Sequence, residues 1–313
     1  MRALVTGATG FIGSTLITHL ENFGYSVRIL SRENNLDYDT IVCDLNSGNI
    51  PEAAFNSVDI VFHLAGYTHD LKSNEKNKKD YYDVNVKGTV SLIKAASREN
   101  VKKFIFVSSV KAGGISGNGS CMTEMDQNIP EGDYGITKRE AEIKILKIGR
   151  ISNIHVSIVR PALVYGHKMK GNLAVMLRGV ENGWFPPLPR MHNKRSMIHV
   201  RDLVSVILLL AEHDCTNKQI YIATDGIKYT SRDIYKAMRR TTGKDIPIWS
   251  LPKIVFYFIA KIGDVVKFIP FDSYKYGKLF GSECYLSNKL KNLGFEPKYN
   301  FYSYLDKKNR GGQ

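Results

Sequence analysis

The chain has 313 residues, of which 43% are hydrophobic and 24% charged, so it can bury a sizeable core in one large or two smaller globular domains. Its net charge of +14 lies mostly in residues 226–313, which carry +10 and favour an anionic partner, although lysines scattered over a solvated surface would give the same excess. The cysteines lie far apart without a CxxC pair, which argues against a zinc site or a disulfide framework, so we expect all four to be reduced: Cys43, Cys121, Cys215 and Cys284.

The first predicted element is a short buried strand over residues 2–6, because an apolar run there ends at a glycine. Gly7, Gly10 and Gly13 follow, and a helix is predicted over residues 11–23. In that context the glycines allow a tight turn, a close approach of backbone to a pyrophosphate, and close packing of helix on strand. The helix start offers free N–H groups to the same pyrophosphate. A strand this early leaves no room for a secretory signal peptide, so we expect a cytoplasmic protein.

Strand and helix patterns then alternate steadily to about residue 165. The predicted elements are a strand over 25–30, buried strands over 40–43 and 59–65, a helix over 79–99, a strand over 103–107, a helix from about Tyr134, and a strand over 154–159. This order indicates an α/β fold with a doubly wound parallel Rossmann sheet, in which ligands bind at the carboxyl ends of the strands.

Beyond residue 165 the pattern becomes mostly helical, with loops that contain proline and glycine. Helices are predicted over 172–182, 201–213, 231–242 and 252–268. We therefore expect a dinucleotide-binding Rossmann domain of residues 1–165 and about 199–225. A smaller, mostly helical substrate-binding lobe would comprise about 166–198 and 226–313.

Three residues are suited to proton transfer in the predicted cleft. Tyr134 and Lys138 lie one helical turn apart on the same face. A tyrosine acts as a base at neutral pH only if a nearby cation stabilises its phenolate, and Lys138 can supply that cation. Ser109, at the end of a strand, can hydrogen-bond a substrate carbonyl or hydroxyl oxygen. Together they can move a proton while a cofactor moves a hydride.

The order of short motifs along the chain resembles the extended short-chain dehydrogenase/reductase family, also called the NAD-dependent epimerase/dehydratase family. The motifs are TGATGFIG at the first turn, HLAG at 63–66, NVKGT at 85–89, FVSS at 106–109, YGITK at 134–138, RPALVYG at 160–166 and RSMIHVRDL at 195–203. The resemblance covers nearly the whole chain. It implies a Rossmann domain, a nicotinamide cofactor and a catalytic set of serine, tyrosine and lysine.

The resemblance also implies a role for each matching residue. Ser109 polarises the reacting oxygen, Tyr134 exchanges its proton, and Lys138 lowers the tyrosine pKa while binding the nicotinamide ribose. Asp44 and Leu45 border the adenine. The other implied cofactor contacts are Gly7, Gly10, Phe11, Ile12 and Gly13 at the first turn, Ala65 and Gly66 on the phosphate side, and Pro161 at the nicotinamide. Asn172 and Arg195 resemble positions that hold a nucleotide diphosphate, and no metal is expected.

Two departures from the family's pattern reduce the number of reactions that the chain is expected to catalyse. Family members that dehydrate sugar nucleotides carry an Asp-Glu pair after the catalytic hydroxyl residue, whereas Val110 and Lys111 stand here. This argues against a 4,6-dehydratase. The chain also lacks the later arginine segment that completes the diphosphate grip in sugar epimerases, which weakens the nucleotide-sugar interpretation. His199 is expected to be a core residue.

The end of the second strand predicts the cofactor. NAD-preferring folds place an acidic side chain there for the ribose 2′-hydroxyl, whereas a nearby arginine accommodates a 2′-phosphate. In this chain Ser31 takes the acidic position and Arg32 follows it. We expect a preference for NADP over NAD. The alternative is that Arg32 points into solvent and Glu33 binds the ribose.

The residues together predict an NAD(P)-dependent oxidoreductase that acts on a secondary alcohol or ketone of a nucleotide-sugar-like substrate. The alternatives are a nucleotide-sugar 4-epimerase that keeps its NAD, and a non-catalytic NAD(P)-binding sensor or scaffold. We expect an anionic small-molecule substrate, no nucleic-acid partner, and a homodimer. The segment 251–271 is too interrupted by charge to span a bilayer. It is predicted to be an amphipathic helix packed on the lobe, with an interfacial membrane contact or a wall for an apolar substrate as alternatives.

Overall fold

The computed structural model describes residues 1–68, 75–115, 119–169, 171–266, 268–269 and 271–309. Its strands are β1 Arg2–Thr6, β2 Ser26–Ser31, β3 Asp39–Val42, β4 Ile60–His63, β5 Lys103–Val107, β6 His155–Pro161, β7 Leu163–Tyr165, β8 Arg195–His199, β9 Gln219–Ala223 and β10 Lys228–Tyr229. Its α-helices are α1 Phe11–Asn22, α2 Glu75–Tyr82, α3 Thr89–Arg98, α4 Gly132–Ser152, α5 Asn172–Glu181, α6 Val200–Glu212, α7 Ser231–Thr241, α8 Lys253–Val265, α9 Ser273–Phe280, α10 Asn288–Asn292 and α11 Phe301–Asn309.

The main sheet has seven parallel strands in the order β3-β2-β1-β4-β5-β6-β9. The chain runs outward from β1 to β3 and then crosses back to β4 on the other side of β1. Because the direction of winding reverses between β1 and β4, a crevice opens at their carboxyl ends, where ligands of doubly wound sheets bind. The predicted doubly wound Rossmann fold is confirmed.

Both faces of this sheet are buried, so its strands alternate between two cores. On β1, Ala3 and Val5 point into one hydrophobic cluster and Leu4 into the other. Helices α1 and α6 cover the first face, while α3 and α4 cover the second. A near-continuous apolar strand such as β1 is what a sheet covered on both faces requires.

The mostly helical part has a hydrophobic core of its own. That core joins Tyr165 and Met197 to residues of α5, α7 and α11, around a small sheet of β10, β8 and β7. Leu290 and Phe295, which follow α9 in the chain, pack instead into the first core of the main sheet. The division into two domains stays a prediction, and this packing places part of residues 226–313 on the Rossmann side.

Two predicted elements differ from the structure. The strand near residues 40–43 was expected to be buried, but β3 is the edge strand and has β2 as its partner in the sheet, so its end residues Asp39 and Val42 are exposed. The helix over 79–99 is two helices joined by a π-helical segment, Asp83–Gly88. Such segments often occur at functional sites, and this one turns Asn85 into the interior.

The expectation that all four cysteines are reduced is wrong for two of them. Cys121 and Cys284 form a disulfide across 163 residues of sequence. They meet because Met122 and Tyr285, the residues that follow each cysteine, pair in a β-bridge. Spacing rules detect cysteines that are close in sequence, so they gave no signal for this pair. Cys43 is buried and Cys215 exposed, and both are free.

A buried ion pair ties α4 to β6. Arg160 and Glu142 are each about 1% exposed, and the Arg160 Nε donates to Glu142 Oε1 at 2.9 Å. Removing one partner leaves the other charge buried without compensation, which costs about 3–5 kcal/mol. We expect Glu142→Ala to lower the free energy of unfolding by about that amount in urea denaturation.

The matched control is Glu140→Ala on the same helix. Glu140 pairs with Lys144 at 3.1 Å where both side chains are substantially exposed, and such pairs contribute less than about 1 kcal/mol. Equal losses in the two variants would contradict the importance of the buried pair.

Candidate active site

The glycine turn after β1 brings three backbone segments closer than side chains would allow. Gly7 has a φ of +71°, and a Cβ on it would lie 2.7 Å from the Ala65 amide nitrogen. A Cβ on Gly13 would overlap the Gly7 carbonyl oxygen. Both positions therefore require glycine, and the contact joins β1, α1 and the chain that leaves β4.

The start of α1 faces this turn with unpaired donors. The first helical hydrogen bond runs from the Ser14 amide to the Gly10 carbonyl, at 3.0 Å. The amides of Phe11, Ile12 and Gly13 precede it, as the first amides of any helix do. Together with the positive end of the helix dipole they fit the pyrophosphate of a dinucleotide.

A buried hydrogen-bond chain fixes the end of β4 against β1. The Thr6 Oγ1 lies 2.6 Å from His63 Nδ1, and His63 Nε2 lies 2.8 Å from Thr89 Oγ1. The Ala65 amide donates to Thr6 Oγ1 at 3.1 Å. Burial lowers the pKa of His63 to about 3, with a further contribution from Lys138, so the ring stays neutral and positions the backbone.

Asn85 is a site residue that the sequence reasoning missed. Its Oδ1 accepts from the Tyr67 amide at 2.8 Å and its Nδ2 donates to the Tyr67 carbonyl at 3.1 Å. Nδ2 also lies 3.2 Å from Thr137 Oγ1, on the helix that carries Lys138. Asn85 thus joins the loop after β4 to α4. The motif NVKGT contained it, but the local pattern predicted only a helix there.

The two hydroxyl groups of the predicted catalytic set meet in the structure. Ser109 ends the segment after β5, and its Oγ accepts from the Lys111 amide at 3.3 Å. Tyr134 lies in the first turn of α4, and its hydroxyl is close enough to Ser109 for that side chain to lower its pKa. Burial raises the pKa of Tyr134 to about 12, although the Ser109 side chain opposes this rise. Tyr134 is therefore a protonated donor at neutral pH.

Lys138 is buried one turn further along α4. Its Nζ donates to the Val107 carbonyl at 3.1 Å and lies 4.6 Å from the centre of the Phe106 ring. Burial lowers its pKa to about 8, while Glu142 acts in the opposite direction. A Cβ on Gly66 would lie 3.1 Å from this Nζ, so the ammonium group borders the loop after β4. A cation at this place stabilises a phenolate as Tyr134 loses its proton.

The remaining predicted cofactor residues lie at the same edge of the sheet or beside it. Asp44 follows β3 and accepts from the Asn46 amide at 3.0 Å, and Leu45 is buried behind it. Pro161 ends β6. β2 ends at Ser31, and Arg32 follows it with an exposed side chain. These positions fit a dinucleotide laid across the carboxyl ends of the strands.

The two predicted substrate residues have different surroundings. Asn172 is exposed at the start of α5. Arg195 is buried in β8, where its Nη2 lies 3.1 Å from Glu283 Oε2 and its Nη1 donates to the Lys278 carbonyl. The Arg195 guanidinium thus already has an anionic partner, and gripping a diphosphate would require it to exchange or share that partner.

Arg195 belongs to a charged cluster between the catalytic loops and the helical part. Glu131, three residues before Tyr134, contacts Lys278 and lies 3.9 Å from Lys111. Lys278 also lies 2.7 Å from Glu283. Burial lowers the pKa of Lys278, but Glu283 and Glu131 more than offset this, so its pKa is raised. The lysine stays charged and connects α9 to the segment that carries Tyr134.

Comparison with known sequences identifies relatives over nearly the full length. Residues 3–223 match the model of the NAD dependent epimerase/dehydratase family. A UDP-glucose 4-epimerase of Vibrio cholerae is 31% identical, over 94% of this chain and 90% of the relative. An N-acetyl-alpha-D-glucosaminyl-diphospho-ditrans,octacis-undecaprenol 4-epimerase of Escherichia coli O157:H7 is 24% identical, over 97% of this chain and 93% of the relative.

Solved structures share the fold. A UDP-N-acetylglucosamine 4-epimerase from Bacillus cereus superimposes with a TM-score of 0.79 at 20% identity, covering 99% of this chain and 98% of that one. A UDP-glucose 4-epimerase from Thermus thermophilus, in complex with NAD, gives a TM-score of 0.76 at 22% identity, with both chains fully covered.

The low pKa of Lys138 predicts how the free energy of unfolding depends on pH. The folded pKa is about 8 and the ordinary value 10.5, so between these pH values the unfolded chain binds more protons and stability rises with pH. Below pH 8 the full cost of burying the charge is present. We expect Lys138→Met to abolish turnover yet raise the free energy of unfolding at pH 7 by about 3 kcal/mol, a gain that shrinks as the pH approaches 10.5.

The control is Tyr134→Phe, which should also abolish turnover but leave the pH dependence of stability unchanged up to about pH 9, because a tyrosine in the unfolded chain titrates only near pH 10. The measurement is urea denaturation of both variants and the unmodified protein at several pH values from 7 to 9. A Lys138→Met variant that is destabilised equally at every pH would contradict the conclusion that the buried Lys138 ammonium group lowers stability.

Proposed function

Because the chain belongs to the NAD-dependent epimerase/dehydratase family, we propose that it transfers a hydride between NADP(H) and a secondary alcohol or ketone carbon of a nucleotide-linked sugar. It is an epimerase or dehydrogenase of the extended short-chain type. The observation that carries the proposal is the meeting of Tyr134, Ser109 and Lys138 beside the glycine turn. Proton transfer to a sugar oxygen needs a proton donor, a hydrogen-bond donor for that oxygen and a cation that stabilises the deprotonated donor. The tyrosine hydroxyl, the serine hydroxyl and the buried lysine at the carboxyl edge of the sheet can supply these three.

Each of the three residues has a distinct step in a reduction. A nicotinamide cofactor held by the glycine turn would supply the hydride that adds to the carbonyl carbon. Tyr134 donates its hydroxyl proton to the carbonyl oxygen as that oxygen gains negative charge, and Ser109 donates a hydrogen bond to the same oxygen. Lys138 stabilises the phenolate left on Tyr134 until solvent returns the proton. In an oxidation the proton moves the other way, from the alcohol to the Tyr134 phenolate.

The end of β2 supports NADP(H) as the cofactor. Ser31 ends the strand and leaves no negative charge at the position where an acidic residue would hold the ribose of NAD. Arg32 is exposed immediately beyond it and can grip a 2′-phosphate through two parallel, charge-assisted hydrogen bonds. In the alternative arrangement Glu33, which is also exposed, binds the ribose hydroxyl of NAD.

The second candidate is a nucleotide-sugar 4-epimerase, and the names of the relatives favour it. The Vibrio cholerae relative is named a UDP-glucose 4-epimerase, and a structure with the same fold holds NAD. An epimerase oxidises one carbon and returns the hydride to its other face without releasing the reduced cofactor. The same three residues serve both reactions, so the fate of the cofactor separates the candidates.

Both candidate reactions require a site for the nucleotide diphosphate of the substrate. A nucleotide diphosphate is anionic, which agrees with the excess of basic residues after Gly226. Asn172 and Arg195 are the proposed diphosphate contacts, with Arg195 moving between Glu283 and the substrate. A homodimer, a cytoplasmic location and a sensor without turnover stay predictions of the sequence.

The experiment that tests the proposal counts cofactor against product. The purified protein is incubated with UDP-linked sugars and 4-keto sugars, and NADPH or NADH absorbance is followed. The proposed reductase should consume one reduced cofactor per product and bind NADPH more tightly than NADH. An epimerase should convert UDP-sugars without added cofactor, and that result would overturn the first proposal in favour of the second.

Arg32→Ala sharpens the cofactor test. Loss of one charged hydrogen-bonding partner should weaken NADPH binding about tenfold or more in a fluorescence titration, with little effect on NADH. Arg150→Ala, which removes an exposed arginine at the end of α4, is the matched control and should change neither affinity. Equal NADH and NADPH affinities in the unmodified protein would refute the NADP preference.

A further inference from the structure

Helix α8 is apolar on its outer side as well as its inner side. Phe256 and Ala260 are buried against the helical part, and Phe256 packs on Phe280 of α9 with ring centres 5.2 Å apart. A helix that is hydrophobic all round is normally buried on all sides. In α8, however, the side that faces away from Phe256 is exposed, because none of the described residues packs over it.

The exposed side forms one continuous stripe. The residues at helical spacing along it, which we term the outer stripe, are exposed by 56%, 59%, 52% and 80%: Ile254, Phe258, Ile262 and Val265. Phe268, just beyond the helix, is 88% exposed. Single exposed apolar residues need no explanation, but a stripe of this length on one helix marks an interaction surface.

Aromatic and basic side chains border the outer stripe. The Lys261 Nζ lies 5.7 Å from the centre of the Tyr257 ring, and the Lys253 Nζ lies 5.7 Å from that of Phe280. Trp249, four residues before the helix, is exposed. Lysines that flank an apolar stripe can bury their stems and keep their charge in water. This combination of apolar stripe, tryptophan and flanking lysines is typical of helices that lie in a membrane interface.

We propose that α8 docks the protein on the surface of a membrane that contains anionic phospholipids. The outer stripe would enter the boundary between headgroups and acyl chains, with the helix axis parallel to the surface. At 13 residues α8 is about 20 Å long, shorter than the ~30 Å hydrocarbon layer. None of the described helices is long and apolar enough to cross a bilayer.

Charge complementarity selects a membrane over a second copy of this chain. Lys253, Lys261 and Arg190 are exposed at or beside α8, and the one acidic residue of this helix, Asp264, lies 3.9 Å from Lys261. A symmetric contact between two copies of α8 would therefore bring like charges together. An anionic lipid surface instead attracts them. Lys267, which continues the basic pattern in the sequence, lies outside the described residues.

A basic cavity lies at the start of α8 and fits the same partner. It has a volume of about 400 Å³, and Arg190, His192 and Lys253 line it together with Phe280 and Asn193. Arg190, His192 and Lys253 are all exposed. Cationic side chains beside an apolar stripe can hold the phosphates of lipid headgroups while the stripe contacts the acyl chains.

The test is co-sedimentation of the full chain with vesicles of phosphatidylcholine, with and without phosphatidylglycerol. We expect binding to the anionic vesicles, a blue shift of tryptophan fluorescence, and weaker binding as salt is raised. Phe258→Glu combined with Ile262→Glu should reduce binding at least tenfold. Lys261→Gln should reduce it about fivefold, the effect of one basic residue near an anionic surface.

Phe23→Glu is the matched control, because Phe23 is similarly exposed but lies at the end of α1, on the Rossmann domain. It should bind vesicles like the unmodified protein. Absence of binding to anionic vesicles would overturn the proposal, as would equal binding by the Phe258/Ile262 variant. A dimer that dissociates in that variant, without vesicle binding, would assign the stripe to a second copy. Vesicle binding needs neither substrate nor cofactor, so its failure leaves the proposed hydride transfer untouched.

Discussion

The close contact of backbone at the glycine turn is the constraint on which the site depends. Gly7 and Gly13 let β1, α1 and the chain after β4 approach at distances that a Cβ would prevent. That approach places the free amides of α1 at the crevice where the winding of the sheet reverses. It also fixes the loop after β4 beside Lys138. The glycine turn and the residues proposed for proton transfer are therefore held in one rigid frame.

The proposed catalytic residues are surrounded by buried polar groups that have hydrogen-bond partners. Asn85 joins the loop after β4 to α4, and the chain of Thr6, His63 and Thr89 holds the same loop from behind. Lys138 is kept charged in an apolar setting, which lowers its pKa and costs stability. Such a cost is common where function requires a charge that packing alone would exclude.

Salt bridges and a disulfide connect the helical part to the segments before Tyr134. Helix α8 of the same part presents an exposed apolar face. Lys278 bridges Glu131 and Glu283, and a disulfide joins Cys121 to Cys284 in the same region. These contacts couple the placement of α9 to the segment that carries Tyr134. Because α8 packs on α9, a surface bound by α8 would lie on the same structural unit as the proposed substrate contacts.

The sequence determined the features that depend on local pattern. Period and spacing predicted the individual strands and helices, the glycine turn, and a tyrosine and lysine one turn apart, because each of these needs only neighbours in the chain. The alternating order of strands and helices then indicated a parallel sheet. The tertiary structure decided the rest: the edge position of β3, the inward turn of Asn85, the ion pair of Arg195 and the pairing of Cys121 with Cys284. The apolar pattern of α8 was visible in the sequence, but which of its faces is covered was not. Each of these depends on contacts between segments far apart in the chain. A local sequence pattern does not specify which distant segment will pack against it.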